Sequence, residues 1–159
     1  MQTRHGAREQ LSSLALTALR IGTGVIMAAH GWQKLTGFAE WRGNVEALGL
    51  PAPEVTAVLV TIAELGGGIA LILGLLTPLA AAGVLVVMVG AIATVHAGKG
   101  LFAAEGGWEL ALLVALIALY FVARGAGPYS VDALVRGRVR PKREQRMGPG
   151  VGVPLGGPA

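Results

Sequence analysis

A single carboxylate, Glu64, stands inside an otherwise uncharged apolar run from Val55 to Leu76. A run of that length matches the roughly 20 residues a helix needs to cross a bilayer. An ionisable group at that depth costs roughly 3 kcal/mol or more unless it faces the protein interior and finds a partner. The chain therefore reads as a membrane protein that turns Glu64 inward and uses it. Composition agrees, with 53% hydrophobic and 14% charged residues, against about 25% charged in an ordinary soluble domain. A chain of 159 residues is expected to form one domain. It has no cysteine, which excludes disulfides, a CxxC redox pair and iron–sulfur ligation by this chain alone. The net charge of +4 sits at the two ends, as membrane flanks do, so the lipid bilayer and not nucleic acid is the expected partner.

Four spans can be read: Leu14 to Leu35, Val55 to Leu76, Leu79 to His96 and Trp108 to Ala123, with Thr77-Pro78 as a minimal turn. The first is not a signal peptide, because Arg20 lies inside it and no A-x-A site follows. Arg4, Arg8 and seven basic residues from Arg124 onward flank one side, against Arg42 and Lys99 on the other. The positive-inside rule then places both termini in the cytoplasm. In the first outer loop Phe38, Trp41, Val45 and Leu48 share one helical face, which predicts a short amphipathic helix in the outer interface, ended by Gly49, Pro51 and Pro53. Gly125 to Pro128 breaks the last span, and Ser130 is placed to cap a short helix. From Pro141 the tail is rich in Gly, Pro and charge and is expected to be disordered. The expected fold is all-α: a polytopic, antiparallel four-helix membrane bundle with a short outer interfacial helix.

At about 1.5 Å per residue, Arg20 lies roughly 9 Å in from the cytoplasmic face and His30 roughly 24 Å in, level with His96. Lys34, Trp32, Trp108 and Glu109 fall at the same outer level. This predicts a polar band of His30, Lys34, His96 and Glu109, with Glu64 near the midplane. Glu64 has three candidate partners: Arg20, Lys34 and His30. The expected structural ion pair is Arg20 with Glu64, its close approach allowed by Gly22, Gly24, Gly66, Gly67 and Gly68. Each group also has a plainer reading. Trp32 and Trp108 suit the aromatic belt, lysines snorkel, and two histidines are weak grounds for a bis-His haem. No metal site is expected, and no Walker loop, nucleophile elbow or HExxH pattern occurs.

Four motifs in order carry a resemblance. Ala29-His30-Gly31-Trp32-Gln33-Lys34-Leu35 resembles the first-helix signature of the DoxX family. Glu64-Leu65-Gly66-Gly67-Gly68 with Leu73-Gly74-Leu75-Leu76-Thr77 is similar to its second-helix element. His96, Gly100-Leu101-Phe102 and Gly107-Trp108-Glu109 resemble its third-to-fourth helix connection, and Gly127-Pro128-Tyr129-Ser130-Val131-Asp132 its closing motif. The usual Gly-Pro-Gly there reads Gly-Ala-Gly-Pro. The resemblance implies small four-helix inner-membrane proteins and covers about 14–135, between a flank at 1–13 and a basic tail at 136–159. It also implies an association with redox chemistry, through quinone-linked thiosulfate oxidation or an assembly that handles oxidative and thiol stress with soluble partners.

The leading expectation is a membrane subunit of a quinone-linked oxidoreductase. His30, Glu64, His96 and Glu109 are its candidate catalytic groups, and Lys34, Trp32 and Trp108 its candidate ligand contacts. Quinone is then the one cofactor-class ligand, and the partners are soluble oxidoreductases or superoxide-detoxifying enzymes. Histidine suits proton delivery near neutral pH. The alternatives are a non-catalytic anchor whose basic tail recruits soluble enzymes and a small-molecule carrier. Whether the chain is itself an enzyme, and whether it forms a homo-oligomer, stay open.

Overall fold

The computed structural model describes residues 2–139. These residues form helix α1 (Gln2–Thr36), α2 (Phe38–Ala47), α3 (Pro53–Leu73), α4 (Thr77–Ala91), α5 (Glu109–Arg124) and α6 (Val131–Val139). A π-helical turn, Ile92–His96, continues α4, and a single 3-10 turn, Ala103–Glu105, lies before α5. No strand occurs among the described residues. Three helices are long and apolar enough to cross a membrane: Gly6–Thr36, Pro53–Leu73 and Thr77–His96. The fourth apolar helix, α5, has 16 residues, about 24 Å of rise against a hydrocarbon core of about 30 Å.

Local sequence sets these boundaries. No proline interrupts α1, which therefore begins at Gln2 and is far longer than the apolar run from Leu14. It breaks at Gly37. Pro53 opens α3 at a position where a missing N–H costs nothing. Gly74, at φ 66, closes α3: its N–H donates to the Leu71 carbonyl, and that of Leu75 to Ala70. The turn into α4 is therefore Gly74–Leu76, and Thr77 and Pro78 already belong to the first turn of α4. Leu76 is left-handed at φ 46, a strain of about 1–2 kcal/mol for a residue with a Cβ. Gly125, at φ 71, ends α5. Ser130 caps α6, its Oγ accepting from the Ala133 amide at 3.1 Å.

α1 packs mainly on α3, α3 on α4 and α4 on α5, whereas α1 and α5 barely meet. α1 and α3 run antiparallel and very close. A Cβ on Gly31 would strike the backbone of Leu65, one on Gly68 the backbone of Ala28, and one on Gly24 the Gly68 carbonyl. Gly22 and Gly66 face no neighbouring helix. The core is small: Met27, Leu71, Ala81, Val84, Ala118 and Phe121. Large apolar side chains on every long helix point outward, Ile62, Leu79, Val86 and Leu110 among them. Continuous apolar surface of this kind belongs in lipid. The short α2 folds onto the first turns of α3: Val45 is fully buried, and the Trp41 indole donates to the Ala57 carbonyl at 3.2 Å.

Candidate functional site

The helix register decides which charges meet. With Gly31 against Leu65, Glu64 lies level with the last turns of α1, where Lys34 stands. Lys34 Nζ donates to Glu64 Oε2 at 2.5 Å. The Glu64 side chain is 4% exposed and that of Lys34 19%. The same ammonium lies 5.0 Å from the centre of the Trp41 ring, within cation–π range. Lys34 is thus held between a buried carboxylate of α3 and an aromatic face of α2, and α2 covers the pair. Thr61, one turn from Glu64, is also buried, and its hydroxyl donates to the Ala57 carbonyl at 2.8 Å.

The expected Arg20–Glu64 pair does not form. Arg20 lies fourteen residues before Lys34, about 21 Å along α1, which sets it level with the far end of α3. There its Nη1 donates to the carbonyls of Leu71 and, at 3.0 Å, Ile72. Its Nη2 donates to the Tyr129 carbonyl at 2.7 Å. The guanidinium is therefore a cap on the last carbonyls of α3, where a cation also meets the negative end of the helix dipole. Asp132 does the converse for α4, its carboxylate accepting from the amides of Leu76 at 2.8 Å and Thr77 at 2.9 Å. Its own amide donates to the Gly74 carbonyl at 2.9 Å. Burial alone would raise the Asp132 carboxyl, but the hydrogen bonds from Thr77 and Leu76 and the charge of Arg136 outweigh it and hold it below the ordinary carboxylate range. Gly74 is hemmed in here, since a Cβ would approach Ser130 and Arg20 at 2.5 and 2.6 Å.

At the other end of the helices, His96 and Glu109 fasten the connection between α4 and α5. His96 Nδ1 lies 2.6 Å from the Gly106 carbonyl, and Glu109 Oε1 accepts from the Ala103 amide at 2.7 Å. The expected polar band is thus divided. His30 faces outward one turn before Lys34 and lines a shallow groove of about 270 Å³ with Ile26, Ala29 and Gln33. Trp32 is exposed, and Trp108 is half-buried at the start of α5. Trp41 and Asp132 are the functional-looking residues that sequence reasoning missed as site groups. Their signals were an indole on the inward face of α2 and the Tyr-Ser-x-Asp motif. Among the described residues no cluster of three His, Asp or Glu side chains forms that would hold a metal ion.

Comparison with known proteins adds a family. The family model described as DoxX matches residues 15–97, just over half of the chain. An uncharacterized protein of Haemophilus influenzae is 40% identical over 121 residues, covering 74% of this chain and 87% of that protein. The inner membrane protein YqjF of Escherichia coli (strain K12) is 33% identical over 69 residues, 43% of this chain and 52% of that protein. No solved structure matches the chain significantly.

Proposed function

The chain belongs to the DoxX family, and on that premise we propose that it is an inner-membrane subunit of a redox system that takes the head of a quinone, or of a small sulfur or redox compound, beside the Lys34–Glu64 pair. In this reading α5 makes a fourth crossing and both termini are cytoplasmic, so the pair lies in the outer half of the bilayer. One observation carries the proposal: a carboxylate at midspan bonded to a lysine under a tryptophan lid. Helix ends do not call for it, since α3 runs unbroken through Glu64.

His30, a helical neighbour of Lys34, opens onto a groove that faces lipid. A quinone reaches a protein through the bilayer, so this groove is its natural approach. Reduction of a quinone to a quinol takes two electrons and two protons. A soluble oxidoreductase partner supplies the electrons. His30 hands over protons, and the Lys34 ammonium, bonded to Glu64, re-protonates it and is recharged from water. His96 and Glu109 position the loop that closes the same end.

Titrating the purified protein with a short-chain ubiquinone and following tryptophan quenching tests this reading. Saturable quenching is expected, weakened at least tenfold in His30→Ala. A protein that shows no saturable quenching refutes it. The topology has its own test: a cysteine placed in the 97–107 loop is expected to label from outside the cell.

A second reading, a non-catalytic anchor for soluble enzymes, is favoured by a different observation. Arg20, Asp132, His96 and Glu109 all bond to backbone, as purely architectural groups do. Such an anchor would use the basic tail, 136–159, of which 140–159 lie outside the described residues. Deleting 136–159 and capturing partners separates the two readings.

A further inference from the structure

We propose that the cleft between α1 and α5, at the end where α1 begins and α5 stops, binds an anionic phospholipid. Arg8 and Arg124 hold the phosphate, and the acyl chains run up the seam between the two helices. The cleft has a volume of about 410 Å³ and exists because α1 and α5 hardly pack against each other. At the end where α1 begins, its lining carries Arg8, Glu9, Ser12, Ser13 and Arg124, beside the 125–128 turn that follows α5. Both arginines are exposed there, so their guanidinium groups are free to fork onto a phosphate. The two serines add hydroxyl donors. Glu9 is the one acidic group on this lining, so the mouth carries an excess of positive charge.

Further along the helices the lining changes. Leu16 lies two turns beyond Arg8 on α1, and Tyr120 and Phe121 lie one turn before Arg124 on α5. Both walls therefore pass from polar to apolar in the same direction, over about 12 Å on α1 and about 6 Å on α5. That grading matches a phospholipid, which changes from phosphate to hydrocarbon over a similar length. A soluble phosphate would use the mouth and leave the apolar part empty. The charge excess selects an anionic headgroup over a zwitterionic one, whose ammonium would find only Glu9. Basic pockets between membrane helices bind anionic lipids on this physical ground. The site is independent of the Lys34–Glu64 pair, since Lys34 lies 26 residues beyond Arg8 on α1, about 39 Å of rise.

Native mass spectrometry of the full-length protein in mild detergent tests the proposal, with phosphatidylglycerol, phosphatidylcholine of the same acyl chains, and inorganic phosphate as probes. Phosphatidylglycerol is expected to bind at least tenfold more tightly than phosphatidylcholine. Arg8→Gln and Arg124→Gln should each weaken it about fivefold, the equivalent of one basic group at a membrane surface. Glu9→Gln should tighten it, which keeps the idea testable if an arginine variant folds poorly. Arg136→Gln, outside the cleft, should change nothing. Equal affinity for the two lipids overturns the proposal, as does an affinity indifferent to Arg124→Gln and Glu9→Gln. Displacement of the lipid by millimolar phosphate overturns it in favour of a soluble anion.

Discussion

Replacing Arg20 should unfasten the far end of α3. The side chain is 1% exposed and donates to three carbonyls on two separate segments. In Arg20→Ala the Leu71 carbonyl keeps the Gly74 amide at 3.1 Å. The carbonyls of Ile72 and Tyr129 lose their Arg20 donor, at roughly 1–3 kcal/mol each when stranded. The void left by the side chain adds to this, and relief from burying a cation subtracts from it. The net expectation is a loss of about 3–5 kcal/mol, the range for stranding one side of a buried charged contact. For a chain of this size that is a fall in Tm of roughly 6–20 °C. Arg20→Lys keeps the charge but not the fork, and should recover only part of the loss. Thermal unfolding in mild detergent, followed by tryptophan fluorescence, measures both. Because Arg20 and Glu64 share no partner, the losses in Arg20→Ala and Glu64→Gln should add. An Arg20→Ala protein melting within about 2 °C of wild type, or coupling between positions 20 and 64 above about 1 kcal/mol, would refute the reasoning.

Two further outcomes follow from the same geometry. Asp132 titrates below the ordinary carboxylate value in the folded chain, so its contribution is complete above that value, near pH 4 for an unfolded aspartate, and is lost as pH falls through the lowered folded value. Asp132→Asn should therefore lower Tm at pH 7 and flatten the acid side of a Tm-versus-pH curve; an acid limb as steep as wild type contradicts the cap. Gly68→Val should disrupt the contact with Ala28 and lower Tm sharply, whereas Gly22→Ala, which meets open space, should leave Tm unchanged or slightly raised; equal effects would mean that α1 and α3 do not approach as closely as their glycines allow.

Hydrophobic runs made the helices legible, because a span must be apolar for some 20 residues and a turn needs its Gly and Pro. The amphipathic pattern from Phe38 likewise announced α2. Two boundaries were not legible. The helix of α1 extends back to Gln2 because nothing in 2–13 stops it, although nothing apolar there demands it. The turn before α4 lies at Gly74–Leu76 because Asp132, far along the chain, holds the Leu76 amide. The Arg20–Glu64 expectation failed for one physical reason. Depth counted along single helices carries no information on register between helices, and here register is set by Gly31 against Leu65 and Gly68 against Ala28. Lys34 stood among the candidate partners of Glu64, but only packing could select it. Nor could sequence show that His96 and Glu109, placed at one level by counting, bind their own loop.

The ionisable groups of the membrane domain then sort by what they bond. Arg20 and Asp132 satisfy the end of α3 and the start of α4, while His96 and Glu109 tie the loop between α4 and α5. Those backbone groups, at helix ends and in a tight loop, would otherwise lack partners, so architecture alone accounts for the four. It does not account for Lys34 and Glu64, which bond each other where α3 is continuous. Removing one partner, as in Lys34→Met or Glu64→Leu, should cost about 3–5 kcal/mol by leaving the other charge alone. Removing both should restore most of that stability, since well-packed apolar residues replace a buried pair at little cost. The double variant is therefore a folded protein lacking only the chemistry. If it binds quinone as tightly as wild type and supports the same turnover with its partner, the pair is a helix fastener and the redox reading fails. If it is stable but inactive, Glu64 and Lys34 are retained for the proton.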